Sequence, residues 1–174
     1  MDILKSKIRH VPNFPKPGIL FYDITTLLRD PAGFRGAVDN LVKPFADQPI
    51  DLVVGVESRG FILGGAVADR LGTGFAPVRK LGKLPAKSIR VTYDLEYGSD
   101  SLEMHEDAVA RGQRVLIVDD LLATGGTARA TVDLVRQLGG DVRGVAFLIE
   151  LVDLRGRAKL EGENVFALLQ YEGA

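Results

Sequence analysis

The amino-acid sequence predicts an α/β fold, a mainly parallel central sheet flanked by helices on both faces. Three observations lead to it. The apolar runs "LVVGV" (52–56), "FAPVR" (75–79), "VLIVDD" (115–120), "VRGVAFLIEL" (142–151) and "VFALLQY" (165–171) are continuous rather than alternating. Strands of that kind are buried on both faces, which is the situation of a parallel sheet. Between the runs lie helical patterns, among them "FILGGAVADRL" (61–71) and "GGTARATVDLVRQLGG" (125–140). Finally, 174 residues without repeats or low-complexity tracts suit one core, so residues 1–174 are expected to form a single domain.

Residues 3–9 read as a short amphipathic helix. The stretch "HVPNFPKPGILFYDIT" (10–25) carries three prolines and a glycine and predicts turns, so residues 1–33 form an arm ahead of the first core helix. After Pro31, residues Phe34, Ala37, Val38, Leu41, Val42 and Phe45 recur at helical spacing. In the helix after 125, Ala128, Thr131, Val132, Val135 and Leu138 line one face. The rhythm breaks over residues 80–107. There Ile89, Val91, Tyr93, Leu95 and Tyr97 alternate with polar residues, and Gly98-Ser99-Asp100 can turn. This predicts a protruding, flexible two-stranded ribbon, expected to be a lid, with an edge hairpin or dimer arm as the plainer alternative.

Bulk chemistry narrows the function classes. The 22 basic and 23 acidic residues leave a net charge of −1, so no basic field recruits nucleic acid or a membrane surface. Absence of cysteine excludes disulfides and thiolate metal sites. No apolar stretch approaches a membrane span and no signal-peptide core opens the chain, which predicts a cytoplasmic protein. His10 and His105 form no cluster and lack metal-ligand spacing.

The chemically distinctive stretch is "VLIVDDLLATGGTA" (115–128). A buried strand ends in Asp119-Asp120, and Ala123-Thr124-Gly125-Gly126-Thr127 opens the next helix. Glycines let successive N–H groups converge, threonines add hydroxyls, and the helix presents its positive end, so the loop can hold a phosphate without lysine. Neither G-x-x-x-x-G-K-[ST] nor G-x-G-x-x-G occurs, which excludes those nucleotide loops. Carboxylates repel phosphate. A site with both must take a ligand with phosphate at one end and hydroxyls, a cation or growing positive charge at the other.

"VLIVDDLLATGGT" resembles the phosphoribosyl pyrophosphate (PRPP) signature of the type I phosphoribosyltransferases. Five further stretches, "NFPKPGILFYDIT" (13–25), "ESRGF" (57–61), "RKLGKLP" (79–85), "LEYG" (95–98) and "LLQYE" (168–172), are similar to the adenine-specific branch, in the same order. The resemblance implies transfer of a 5-phosphoribosyl group from PRPP to adenine, giving AMP and pyrophosphate in purine salvage. It further implies a homodimer and Mg2+ held mainly by substrate oxygens and water, with no direct protein ligand. By the same resemblance, residues 123–127 take the 5-phosphate and Asp119 and Asp120 take the ribose hydroxyls. Glu57, Ser58, Arg59, Arg79, Lys80 and Lys83 would receive pyrophosphate, with a cis peptide between Glu57 and Ser58. The carbonyl of Leu20 and the N–H of Tyr22 would read the adenine edge, and Phe21, Leu121 and Leu151 would wall the purine. Tyr22 stands where many relatives carry a basic residue, which leaves its side chain without a role. Glu96 is the implied general base and Tyr97 closes beside it; together with Asp119, Asp120 and Arg59, Glu96 forms the expected catalytic set. A transferase for 6-oxopurines or orotate would want a side-chain donor at the base, and a PRPP-sensing regulator would want an added DNA-binding module.

Overall fold

The computed structural model describes residues 1–95 and 98–173, so Glu96 and Tyr97 lie outside the described residues. The arm begins with helix α1 (Asp2–Lys5). The expected helix over 3–9 is therefore shorter, because Arg9–Pro12 is drawn into strand β1, which pairs antiparallel with β2 (Leu20–Asp23). A short helix α2 (Thr25–Leu28) follows. Helix α3 (Pro31–Val42) starts where the sequence places a breaker: Asp30 accepts the Gly33 N–H at 2.6 Å and Pro31 fills a first-turn position that needs no donor.

The rest alternates as expected: β3 (Leu52–Val56), α4 (Arg59–Leu71), β4 (Gly74–Lys80), the ribbon strands β5 (Ser88–Asp94) and β6 (Ser99–His105), β7 (Arg114–Leu122), α5 (Gly126–Gln137), β8 (Asp141–Leu151) and β9 (Val165–Tyr171). Seven strands form one sheet in the order β5-β6-β4-β3-β7-β8-β9. Strands β4, β3, β7, β8 and β9 are mutually parallel, and the antiparallel ribbon joins at one edge through Arg79↔Glu103 and Lys80↔Leu102.

Successive residues of each central strand point to opposite faces, and both faces are covered. Val53, Leu116, Val118, Ala146 and Leu148 pack with Leu41 of α3 and with Leu63 and Val67 of α4. Val54, Val115, Ile117, Val145 and Phe147 pack with Val132, Leu134 and Val135 of α5 on the other side. This is why the sequence shows unbroken apolar runs. Leu116 is fully buried, and truncating such a leucine to alanine costs about 2–5 kcal/mol. The ribbon is not free on both sides: Ile89, Val91 and Tyr93 pack onto the α5 cluster, and Leu102 and Met104 are buried.

Chain order reverses between β3 and β7. From β3 the chain moves to β4 on one side, and after the ribbon it returns to β7 on the other. In an open α/β sheet a crevice opens beyond the carboxyl ends of the strands at such a point. Here those ends are Val56 and the Asp119–Leu122 terminus of β7.

Candidate active site

A cavity of about 560 Å³ occupies that crevice, lined among others by Glu57, Ser58, Arg59, Lys80, Asp119, Asp120, Leu121, Ala123 and Thr127. A contiguous hollow of about 80 Å³ runs along Leu121–Ala128 and holds the whole Ala123–Thr127 loop. The turn between β3 and α4 and the turn between β7 and α5 form its floor, and the end of β4 and the ribbon strands complete the wall. The Glu57–Ser58 peptide is cis, as the resemblance implies.

The 123–127 loop has the local form its residues predict. Gly125 takes a left-handed conformation (φ 80°) just before α5. A Cβ there would lie 2.3 Å from the Gly156 carbonyl oxygen, so only glycine fits both the turn and the close packing beneath it. The first N–H groups of α5 have no partner within the helix and point out of its positive end. Thr131 Oγ1 donates to the Thr127 carbonyl at 2.8 Å and pins the loop to the next helical turn.

The two adjacent aspartates of the cavity differ in their surroundings. Asp120 pairs with Arg59, Nε to Oδ2 2.5 Å. Arg59 also lies over the Phe21 ring, 5.3 Å from its centroid, and so joins the Asp119-Asp120 side of the cavity to the arm. Asp119 is buried and accepts the N–H of Asp120 at 2.8 Å. Burial first, and repulsion from Asp120 second, push its carboxyl well above the ordinary carboxylate range. The Glu57 side chain, on the cavity wall, has protein partners. It accepts the Lys80 N–H at 2.7 Å and pairs with Arg79 at 3.3 Å, tying the β3 turn to the end of β4.

Other expected residues sit further from the cavity. Lys83 is outside its lining, and its carbonyl accepts from Arg79 at 3.3 Å. Leu151 is buried at the end of β8 within the core, and Leu20 packs against that same core. The Tyr22 ring turns inward, 4.2 Å from the Tyr171 ring of β9, with His10 edge-on at 5.0 Å. Five lining residues were missed by sequence reasoning: Val56, Tyr93, Leu95, Asp100 and Leu102. Asp100 looked like a turn residue, yet it lies in β6 opposite Tyr93 and pairs with Lys80 at 3.1 Å. The ribbon alternation did place Tyr93 with the inward residues, but its distance from the phosphate loop in sequence gave no signal of contact.

Four acidic residues line the cavity, Glu57, Asp100, Asp119 and Asp120. Among the described residues, no three His, Asp or Glu side chains are grouped to hold a metal ion. Carboxylate oxygens, with substrate phosphates and water, are the donors that a hard cation such as Mg2+ takes.

A seven-stranded sheet with a phosphate loop and paired acids at its switch point defines a phosphoribosyltransferase, and residues 23–164 match the family model described as the phosphoribosyl transferase domain. The chain is 61% identical over 172 residues to adenine phosphoribosyltransferase of Solibacter usitatus, covering 99% of each chain. Its fold matches the crystal structure of adenine phosphoribosyltransferase from Thermoanaerobacter pseudethanolicus with a TM-score of 0.95 at 50% identity, over 98% of this chain and 99% of the other. The Saccharomyces cerevisiae enzyme, solved with adenine and an imino-altritol bisphosphate, matches with a TM-score of 0.91 at 44% identity, over 96% and 97%. The chain belongs to the adenine phosphoribosyltransferase family. Among the described residues, no helix is long and apolar enough to cross a membrane.

Proposed function

We propose that this chain transfers the 5-phosphoribosyl group of PRPP to adenine, releasing AMP and pyrophosphate, as an enzyme of purine salvage. The observation that carries the assignment is the joint placement of the 123–127 loop and the Asp119-Asp120 pair on one cavity wall. In this reading the amides and hydroxyls of Thr124–Thr127 hold the 5-phosphate, while Asp119 and Asp120 accept from the ribose hydroxyls. The acids then face the sugar and not the phosphate, and their charge favours the cationic ring that forms as the bond to pyrophosphate loosens.

Arg59 and Lys80 receive the departing pyrophosphate, aided by the Ser58 backbone; Arg79 acts through Glu57, and Lys83 acts from the loop after β4. The Leu20 carbonyl and Tyr22 N–H pair with the adenine edge, with Phe21 and Leu121 as walls. Leu151 supports the wall from within the core. Glu96 takes the ring proton of adenine, and Tyr97 closes beside it. Residues 80–107 act as the lid over a cavity that must exclude water, since the same intermediate would hydrolyse. Family membership implies Mg2+ dependence, and Mg2+ bound to PRPP oxygens neutralises the leaving group. We also infer a homodimer, which the mass in solution checks, and a cytoplasmic enzyme.

The test is an assay offering adenine, hypoxanthine and guanine with PRPP and Mg2+. AMP and stoichiometric pyrophosphate from adenine alone support the reading. Turnover of a 6-oxopurine at a similar rate overturns the base assignment, and PRPP binding without turnover of any base indicates a sensor.

A further inference from the structure

Tyr93 stands outside the machinery described above, yet its side chain reaches from the ribbon to the 123–127 loop. Its hydroxyl lies 3.1 Å from Thr127 Oγ1. One edge of its ring lies against Gly126: a Cβ on that glycine would lie 3.0 Å and 3.3 Å from Cδ2 and Cε2. Tyr93 and Thr127 line both the main cavity and the hollow along the loop.

The direction of this hydrogen bond has a consequence. A phosphate oxygen accepts, so Thr127 gives it its one proton and keeps its lone pairs for a donor from elsewhere. Tyr93 can be that donor. Its alternative partner, Asp100 Oδ2, is 3.5 Å away, at the edge of hydrogen-bond range, and is already paired with Lys80 at 3.1 Å. The other oxygen of Asp100 accepts the Ser101 N–H at 2.8 Å. Burial also holds the Tyr93 phenol in its protonated, donating form.

We propose that Tyr93 is a positioning residue for the 5-phosphate: its O–H donates to Thr127 Oγ1 and thereby aims the Thr127 proton at the phosphate. The proposal rests on residues 124–127 being the phosphate cradle. It also ties the ribbon to occupancy of that cradle, because strand β5 carries the donor.

Tyr93→Phe tests it, since phenylalanine keeps the ring on Gly126 and removes only the hydroxyl. The affinity for ribose 5-phosphate, measured by calorimetry, is expected to fall about five- to tenfold, the worth of one hydrogen bond. The KM for PRPP should rise in parallel, while the KM for adenine, kcat and Tm stay at wild-type values. In Thr127→Val the hydroxyl is already gone, so adding Tyr93→Phe should cost nothing further. Wild-type ribose 5-phosphate affinity in Tyr93→Phe overturns the proposal, as do additive losses in the double variant. A uniform rise in both KM values with a lower Tm overturns it too, by marking plain structural damage. Ribose 5-phosphate binding needs no base, so failure of adenine transfer in the wild type would count against the proposed reaction alone.

Discussion

Arg59 Nε stands 2.5 Å from Asp120 Oδ2, so the cation assigned to pyrophosphate and an acid assigned to the ribose neutralise each other across the cavity. That pairing explains how a wall with several carboxylates can admit a polyanion. Remove the guanidinium and Asp120 is left partly buried and uncompensated, facing the incoming phosphates. Arg59→Ala is therefore expected to lower kcat/KM for PRPP at least ~100-fold, the scale of ~3 kcal/mol for a half-buried charge losing its partner. Arg59→Lys keeps the charge without the planar fork and should fall between. Steady-state kinetics at varied PRPP check both: wild-type activity in Arg59→Lys would show that charge alone matters, and Arg59→Lys as poor as Arg59→Ala would show that the guanidinium fork carries the effect.

Gly125 makes a sharper steric case. With φ at 80° and the Gly156 carbonyl in the way, an added methyl must displace either the loop or the segment beneath it. Gly125→Ala should cost about 2 kcal/mol or more of stability, from unfavourable backbone conformation plus overpacking. Ribose 5-phosphate affinity should fall with it. Thermal unfolding and calorimetry on the same sample check this, and a Tm within a degree of wild type would contradict it.

What the sequence made legible follows from which signals are local. The strands β3, β4, β7, β8 and β9 were visible because burial on two faces leaves continuous apolar runs, and the loop at 123–127 because Thr-Gly-Gly-Thr at a helix start follows a buried strand that ends in paired acids. Helix α1 was overextended because residues 6–9 keep an amphipathic spacing, while the pairing of Arg9–Pro12 with Leu20–Asp23 is a contact across a turn. Asp100 and Tyr93 escaped notice for a related reason. Their roles depend on hairpin register and on how β6 meets β4, and no short window of residues encodes either.

The pH response should show Asp119. Its carboxyl is raised, so the folded chain resists ionising it while the unfolded chain ionises near the usual value of about 4. The stabilising effect of the neutral form is complete below that value and is lost as pH rises through the folded pKa. Ligand-free Tm should therefore drift down over this window. PRPP binding should do the reverse and tighten, up to tenfold per pH unit, because accepting from ribose hydroxyls requires the ionised pair. Differential scanning fluorimetry with and without PRPP from pH 4 upward shows both slopes. In Asp119→Asn the ligand-free slope should flatten, and an unaltered slope would assign it to another group.

Glu96 can be separated from the PRPP machinery by its substrate. If it takes the adenine proton, Glu96→Gln should reduce kcat by about 10²–10⁴-fold, the usual contribution of a general base. The dissociation constant for PRPP should stay near wild type, since the phosphate loop and the Asp pair are untouched. Pre-steady-state turnover with equilibrium PRPP binding resolves the two quantities, and unchanged turnover removes Glu96 from the mechanism.

Tyr22 carries its information on two sides of one strand. Its N–H is assigned to adenine, whereas its ring is buried against Tyr171 and His10 and fastens the β1–β2 arm to the end of β9. Lys5 strengthens the clasp, lying over the Tyr171 ring at 5.0 Å and donating to the Gln170 carbonyl at 2.7 Å. Main-chain recognition is only as specific as the strand is fixed, so loosening this clasp should act on the base and not on the phosphate. Tyr22→Ala is expected to raise the KM for adenine about tenfold or more and to cost about 3–5 kcal/mol of stability, as for other buried aromatics. Tyr22→Phe keeps the ring and should recover most of both. The KM for PRPP should barely move in Tyr22→Phe. An adenine KM at the wild-type value in Tyr22→Ala would mean that the arm is held by β1 and Phe21 alone.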